Sequence, residues 1–129
     1  MATTWYINED KNILQVNHFM LKQLKHEMRS YSNAHDAAQA LLAGEKPDII
    51  ILEVNMPEVS GVDLLEFIRG RQIWDQLPVI LLASEHDEDK IQQVIDKGAD
   101  GYVQKPIMLD ELENTIQLAI KERAKYNKN

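Results

Sequence analysis

Four places in this chain put a chemically capable side chain directly behind an apolar or β-prone run. Glu9 and Asp10 follow residues 5–8, and Glu53 follows Ile49-Ile50-Ile51-Leu52. Ala83 and Ser84 follow residues 79–82, and Lys105 follows residues 101–104. If these runs are parallel strands of one sheet, all of these residues stand at its carboxyl edge, where open α/β sheets bind ligands. Neighbouring first and third strands would cluster the carboxylates of Glu9, Asp10 and Glu53. Like charges that close repel, and a hard divalent cation with oxygen ligands relieves them. Mg²⁺, which takes one or two carboxylates plus waters, suits such a set. Lys105 is a second available counter-charge. Taken singly, each residue has a plainer role: Asp10 as a helix cap, Lys105 as a solvated surface residue. Their joint placement on strand ends favours a site.

The elements that must position them are legible from periodicity. Residues 5–8 form a first short strand, and Ile13, Val16, Met20 and Leu24 recur at helical spacing behind it. Residues 29–33 read as a weak second strand. Ala37, Ala38, Ala40, Leu41 and Leu42 mark a short helix stopped by Gly44 and Pro47. Residues 48–52 are the third strand, and a helix with Leu64, Leu65 and Ile68 follows Gly61. Pro78 opens a fourth strand over 79–82, and a helix over 87–97 ends at Gly98. Residues 101–104 are the last strand. Leu109, Leu112, Ile116 and Ile120 define the closing helix. Five β-α units in alternation imply a three-layer α/β sandwich of flavodoxin-like type, its parallel sheet ordered 2-1-3-4-5. One domain is expected over residues 1–121, with 122–129 a polar tail or the start of a linker.

Composition narrows the function classes. At 129 residues, 44% hydrophobic and 27% charged, the chain suits one soluble globular domain. A net charge of −7 argues against direct nucleic-acid binding by this domain. Cysteine is absent, which excludes disulfides and thiolate metal sites. The start of the chain carries no basic, apolar leader and no membrane span is apparent, so a cytoplasmic location is expected. His18, His26, His35 and His86 lack ligand spacing, and Trp5 and Trp74 read as packing residues.

Three segments carry a family resemblance. The acidic pair Glu9-Asp10, the turn Glu53-Val54-Asn55-Met56-Pro57 with Gly61, and Gly98-Ala99-Asp100-Gly101-Tyr102-Val103-Gln104-Lys105-Pro106 resemble the signatures of response-regulator receiver domains, in order along nearly the whole chain. The resemblance implies two-component signalling. It implies that Glu9, Asp10, Glu53 and the backbone carbonyl of Asn55 are the Mg²⁺ ligands, and that Lys105 contacts a phosphoryl group. It also implies a switch made of a hydroxyl after strand four and an aromatic at Tyr102. Partners implied are a histidine kinase, an effector domain or protein met through the helix over 87–97, the last strand and the closing helix, and a second copy of the chain.

Two positions depart from the family pattern. Glu53 stands where the phosphoacceptor aspartate belongs, and its extra methylene moves the carboxylate by roughly 1.5 Å. Phosphoryl transfer depends on positioning, and misplacement on that scale costs about a hundredfold. Ala83 stands where the switch hydroxyl belongs, with Ser84 on the neighbouring position. The reading that follows is a pseudo-receiver: a non-enzymatic interaction module with weak Mg²⁺ binding and no phosphorylation, Glu53 serving as a fixed charge or pairing with Lys105. The alternative is a receiver that still takes phosphate on its carboxylate. A metal-dependent phosphohydrolase is disfavoured because Glu53 and Asn55 replace the paired aspartates it needs. A flavin carrier is disfavoured because Glu9-Asp10-Lys11-Asn12 would repel a phosphate.

Overall fold

Ile49–Glu53 and Val79–Ala83 are buried at every position, as strands covered on both faces must be. In the computed structural model, which describes residues 3–8, 22–23, 27–53, 61–83, 88–104 and 107–125, they occupy the middle of a five-stranded sheet. The elements in chain order are β1 (Thr3–Ile7), β2 (Glu27–Tyr31), α1 (Ala34–Leu42), β3 (Ile49–Glu53), α2 (Gly61–Arg69), a 3₁₀ turn (Gln72–Trp74), β4 (Val79–Ala83), α3 (Glu88–Asp96), β5 (Gly101–Gln104) and α4 (Leu109–Ala124). All four strand pairings are parallel, and the order is β2-β1-β3-β4-β5. The flavodoxin-like arrangement read from the sequence is the one observed.

Alternation along the strands sends side chains into two cores. Ile7, Ile50, Leu52, Leu81 and Ala83 join α1, α2 and α3 through residues such as Leu41, Leu65 and Val94. Tyr6, Ile49, Ile51, Ile80, Leu82 and Val103 meet Leu112, Ile116 and Ala119 of α4. Trp5 and Trp74 both lie in the first core, as packing residues should.

Several boundaries differ from the sequence reading. β2 begins two residues earlier and stops at Tyr31, because Asn33 leaves the strand to cap α1. Its side chain accepts the Asp36 N–H at 2.8 Å, which also starts that helix at Ala34 rather than Ala37. β3 is shifted by one and includes Glu53. Asp48 stays outside it, its carboxylate accepting the Thr3 N–H at 2.7 Å. The closing helix continues to Ala124, so residues 122–124 belong to the helix and not to a tail. The expected first helix lies outside the described residues except for Lys22 and Gln23, which are helical.

The amino edge of the sheet is fastened by one carboxylate. Asp100, just before β5, accepts from the Val79 N–H at 2.9 Å, from Arg69 Nη2 at 3.0 Å and from Arg123 Nε at 2.8 Å. Both guanidinium groups also donate to the Gly98 carbonyl, at 2.9 and 3.2 Å. The same pair reaches the carbonyls of Trp74 and Asp75. The C-terminal ends of α2 and α4 are thus tied to the turn that ends α3. Gly98 makes this possible. Its φ of +112° closes α3, and a Cβ there would sit 2.9 Å from Arg69 Cγ. Gly98→Ala is therefore expected to cost about 2 kcal/mol from backbone strain, before any displacement of Arg69. Urea unfolding would measure it, and a cost near zero would mean that the turn relaxes freely.

Candidate functional site

The chain order reverses between β1 and β3, which lie side by side although β2 comes between them in sequence. Ligands of open α/β sheets bind in the crevice at such a switch point, beyond the carboxyl ends of the strands. Glu53 is the last residue of β3, and its register partner on β4 is Leu82. It is only 5% exposed. A carboxylate so buried needs hydrogen-bond donors.

One donor comes from across the switch point. Asn8 follows β1 directly and is 3% exposed. Its backbone N–H donates to the Tyr31 carbonyl at 3.0 Å, which continues the ladder toward β2. Its side-chain Nδ2 donates to Glu53 Oε2 at 3.5 Å. The register explains the meeting: Tyr6 pairs with Ile51, and Ile7 with Leu52. Asn8 and Glu53 extend those two strands by one more step, on the face that Tyr6 and Ile51 share. Sequence reasoning passed over Asn8. The available signal was an amide closing an otherwise apolar strand, where burial demands a polar partner.

The remaining candidates divide cleanly. Ala83 closes β4, is fully buried, and belongs to the core that contains Ile91 and Val94 of α3. Its register partner is Gln104, so β4 and β5 end together at the same edge as β3. Tyr102 sits on β5, an edge strand, and is 44% exposed. Glu9, Asp10, Asn55, Ser84 and Lys105 lie outside the described residues. Among the described residues no group of three or more acidic, histidine or cysteine side chains could hold a metal ion, Glu53 being the one expected ligand described. The donor set expected from the sequence, carboxylates and a backbone carbonyl, is of the kind a hard cation takes.

β5, α4 and the residue before α4 each expose a large apolar side chain. Met108 is 61% and Leu118 59% exposed, and Tyr102 adds an aromatic ring. Thr115 packs close over β5, where a Cβ on Gly101 would lie 3.3 Å from its Cγ2. Among the described residues no helix is long and apolar enough to cross a membrane.

Comparison with known proteins agrees with this architecture. Residues 5–117 match the family described as the response regulator receiver domain. The transcriptional regulatory protein KdpE of Mycobacterium tuberculosis is 31% identical over 121 residues, 94% of this chain and 52% of the relative. The KDP operon transcriptional regulatory protein KdpE of Escherichia coli is 35% identical over 82 residues, 64% of this chain and 35% of that protein. This chain thus spans about half the length, or less, of these two relatives. Among solved structures, a response regulator receiver domain protein from Clostridium thermocellum superposes with a TM-score of 0.87 at 26% identity, covering 97% of this chain and 98% of its own. Vibrio cholerae CheY4 gives 0.81 at 26% identity, over 92% and 98%. With the parallel 2-1-3-4-5 sheet and a buried acid at its switch point, the chain belongs to the response regulator receiver domain family.

Proposed function

We propose that this receiver domain works as a protein-interaction module whose state is not set by phosphorylation of an acceptor carboxylate. The observation that carries the reading is Glu53 itself: a glutamate at the end of β3, buried and hydrogen-bonded to Asn8. A nucleophile must meet a phosphodonor in line, and a carboxylate displaced by a methylene is poorly placed to do so. Ala83 supports the same reading, since a methyl group inside the core offers no hydrogen bond to a phosphoryl oxygen.

In this reading Glu53 is a fixed acid. Glu9, Asp10, Glu53 and the Asn55 carbonyl are the ligands that would hold Mg²⁺, weakly. The cation would neutralise the carboxylates of the pocket. Lys105 is the counter-charge, and Ser84 supplies the hydroxyl next in sequence to the switch position. The domain is not an enzyme. It acts in the cytoplasm, and residues 1–121 with the last turn of α4 are its folded unit. The face made by α3, β5 and α4 meets the partner: an effector domain, another protein or a second copy. Tyr102 on β5, which is exposed, would supply an aromatic contact on this face. A histidine kinase remains the partner of the alternative reading, a phosphorylatable receiver.

Intact-protein mass spectrometry with Mg²⁺ and acetyl phosphate separates the two. The expected result is no gain of one phosphate mass. A gain that disappears in Glu53→Gln would overturn the proposal and favour the alternative. Mg²⁺ alone should raise the melting temperature slightly and perturb tryptophan fluorescence, with Trp5 on the strand that leads to the site. Both responses should vanish in Asp10→Asn. Silence in the unmodified protein would remove the metal from the reading.

A further inference from the structure

We propose that Asn8 is a positioning residue that holds the Glu53 carboxylate against the end of β1 and so limits the affinity of the site for a divalent cation. The inference rests on the reading of Glu53 as a residue of the cation pocket, and it goes further by naming one residue that restrains it. Asn8 and Glu53 are 45 residues apart in sequence, yet both are at least nine-tenths buried and joined side chain to side chain. Neither group is easily accommodated alone. A buried amide and a buried carboxylate each require a partner, and the amide supplies the donor that a carboxylate accepts.

The two side chains are matched in length. The amide reaches Glu53 Oε2 at 3.5 Å, near the outer limit of a hydrogen bond. An aspartate at position 53, shorter by roughly 1.5 Å, would fall out of reach. The glutamate and the asparagine therefore read as one device. An N–H donor and a hard cation also compete for the same lone pairs of a carboxylate oxygen. While Nδ2 engages Oε2, a cation that takes this oxygen must displace the amide.

Asn8→Leu tests this, because leucine keeps the branched shape and lacks the donor. Asn8→Ala is the second variant, which adds no bulk should leucine disturb the fold. The full chain would be titrated with Mg²⁺ alone by calorimetry, with melting temperature as a parallel readout. The expected result is binding about tenfold tighter in both variants, the change that corresponds to releasing one hydrogen bond to a charged group. In a Glu53→Gln background the same substitutions should leave the affinity within twofold, whereas a merely structural asparagine would act alike in both backgrounds. Equal or weaker binding in both variants overturns the proposal, as does an absence of measurable binding in all of them. The phosphodonor experiment is independent of these outcomes: unmodified protein that refuses phosphate keeps the proposed function even if Asn8 proves passive.

Discussion

Replacing Asp100 by alanine is expected to lower the unfolding free energy by about 3–5 kcal/mol, the cost of leaving buried charges without their partner. The side chain of Asp100 is 6% exposed, and those of Arg69 and Arg123 are 12% and 8%. Removing the carboxylate takes a shared acceptor from two largely buried guanidinium groups, which keep the carbonyls of Gly98, Trp74 and Asp75. The Val79 N–H at the start of β4 loses its acceptor as well. Asp100→Asn should cost less, because an amide oxygen still accepts the Val79 N–H. Glu122→Ala is the control. Its ion pair with Lys125 is more than half exposed at both ends and should be worth less than about 1 kcal/mol. Urea denaturation at neutral pH would measure all three. A loss below 1 kcal/mol for Asp100→Ala would mean that water reaches the two arginines, and the node would then be no fastening. Its place matters for function too. It holds the turn before β5 and the last turn of α4, which frame the proposed partner face.

The contrast between Asp100 and the strands shows what a single sequence reveals. The five strands were legible because each is a short β-prone or apolar run with punctuation at its ends, and parallel connections leave few orders to choose from. β2 was misplaced by two residues because 29–33 has no apolar alternation to fix its phase. What set its end was Asn33 choosing the helix, a local competition between strand ladder and cap. Arg69, Asp100 and Arg123 were not legible as a unit. Their pairings span 31 and 23 residues, and a charged side chain read alone looks like surface. Arg123 in particular sits among polar neighbours that suggest a fraying tail, whereas its buried guanidinium donates to the Asp100 carboxylate and to the backbone carbonyls of Asp75 and Gly98. Glu53 was legible because an acid ends an apolar run. Its partner Asn8 was not, since only the register of β1 against β3 brings them together.

Glu53→Asp is expected to accept phosphate from acetyl phosphate about a hundredfold faster than the unmodified protein, the rate factor attached to about 1 Å of misplacement at a reacting centre. The substitution withdraws the carboxylate by roughly 1.5 Å. It also takes the carboxylate away from Asn8, which now reaches it at 3.5 Å. Both changes leave the nucleophile closer to the position the family resemblance implies. The rate would be read as the initial gain of one phosphate mass in the presence of Mg²⁺, with Glu53→Gln as the blank. Acceptance alone should not restore switching. Ala83 remains a methyl group in the core with Ile91 and Val94, and it cannot report a phosphoryl group to α3. Adding Ala83→Thr supplies the hydroxyl, at a stability cost of about 1 kcal/mol, because the site is fully buried and the threonine adds volume. The double variant should then change its self-association or partner binding when the donor is added, as followed by analytical ultracentrifugation or calorimetry. Glu53→Asp alone should take phosphate and leave that association unchanged. If neither variant takes phosphate faster than the unmodified chain, the missing aspartate is not what keeps this receiver from phosphoryl transfer. The cause would then lie in the acid pair Glu9-Asp10 or in Lys105.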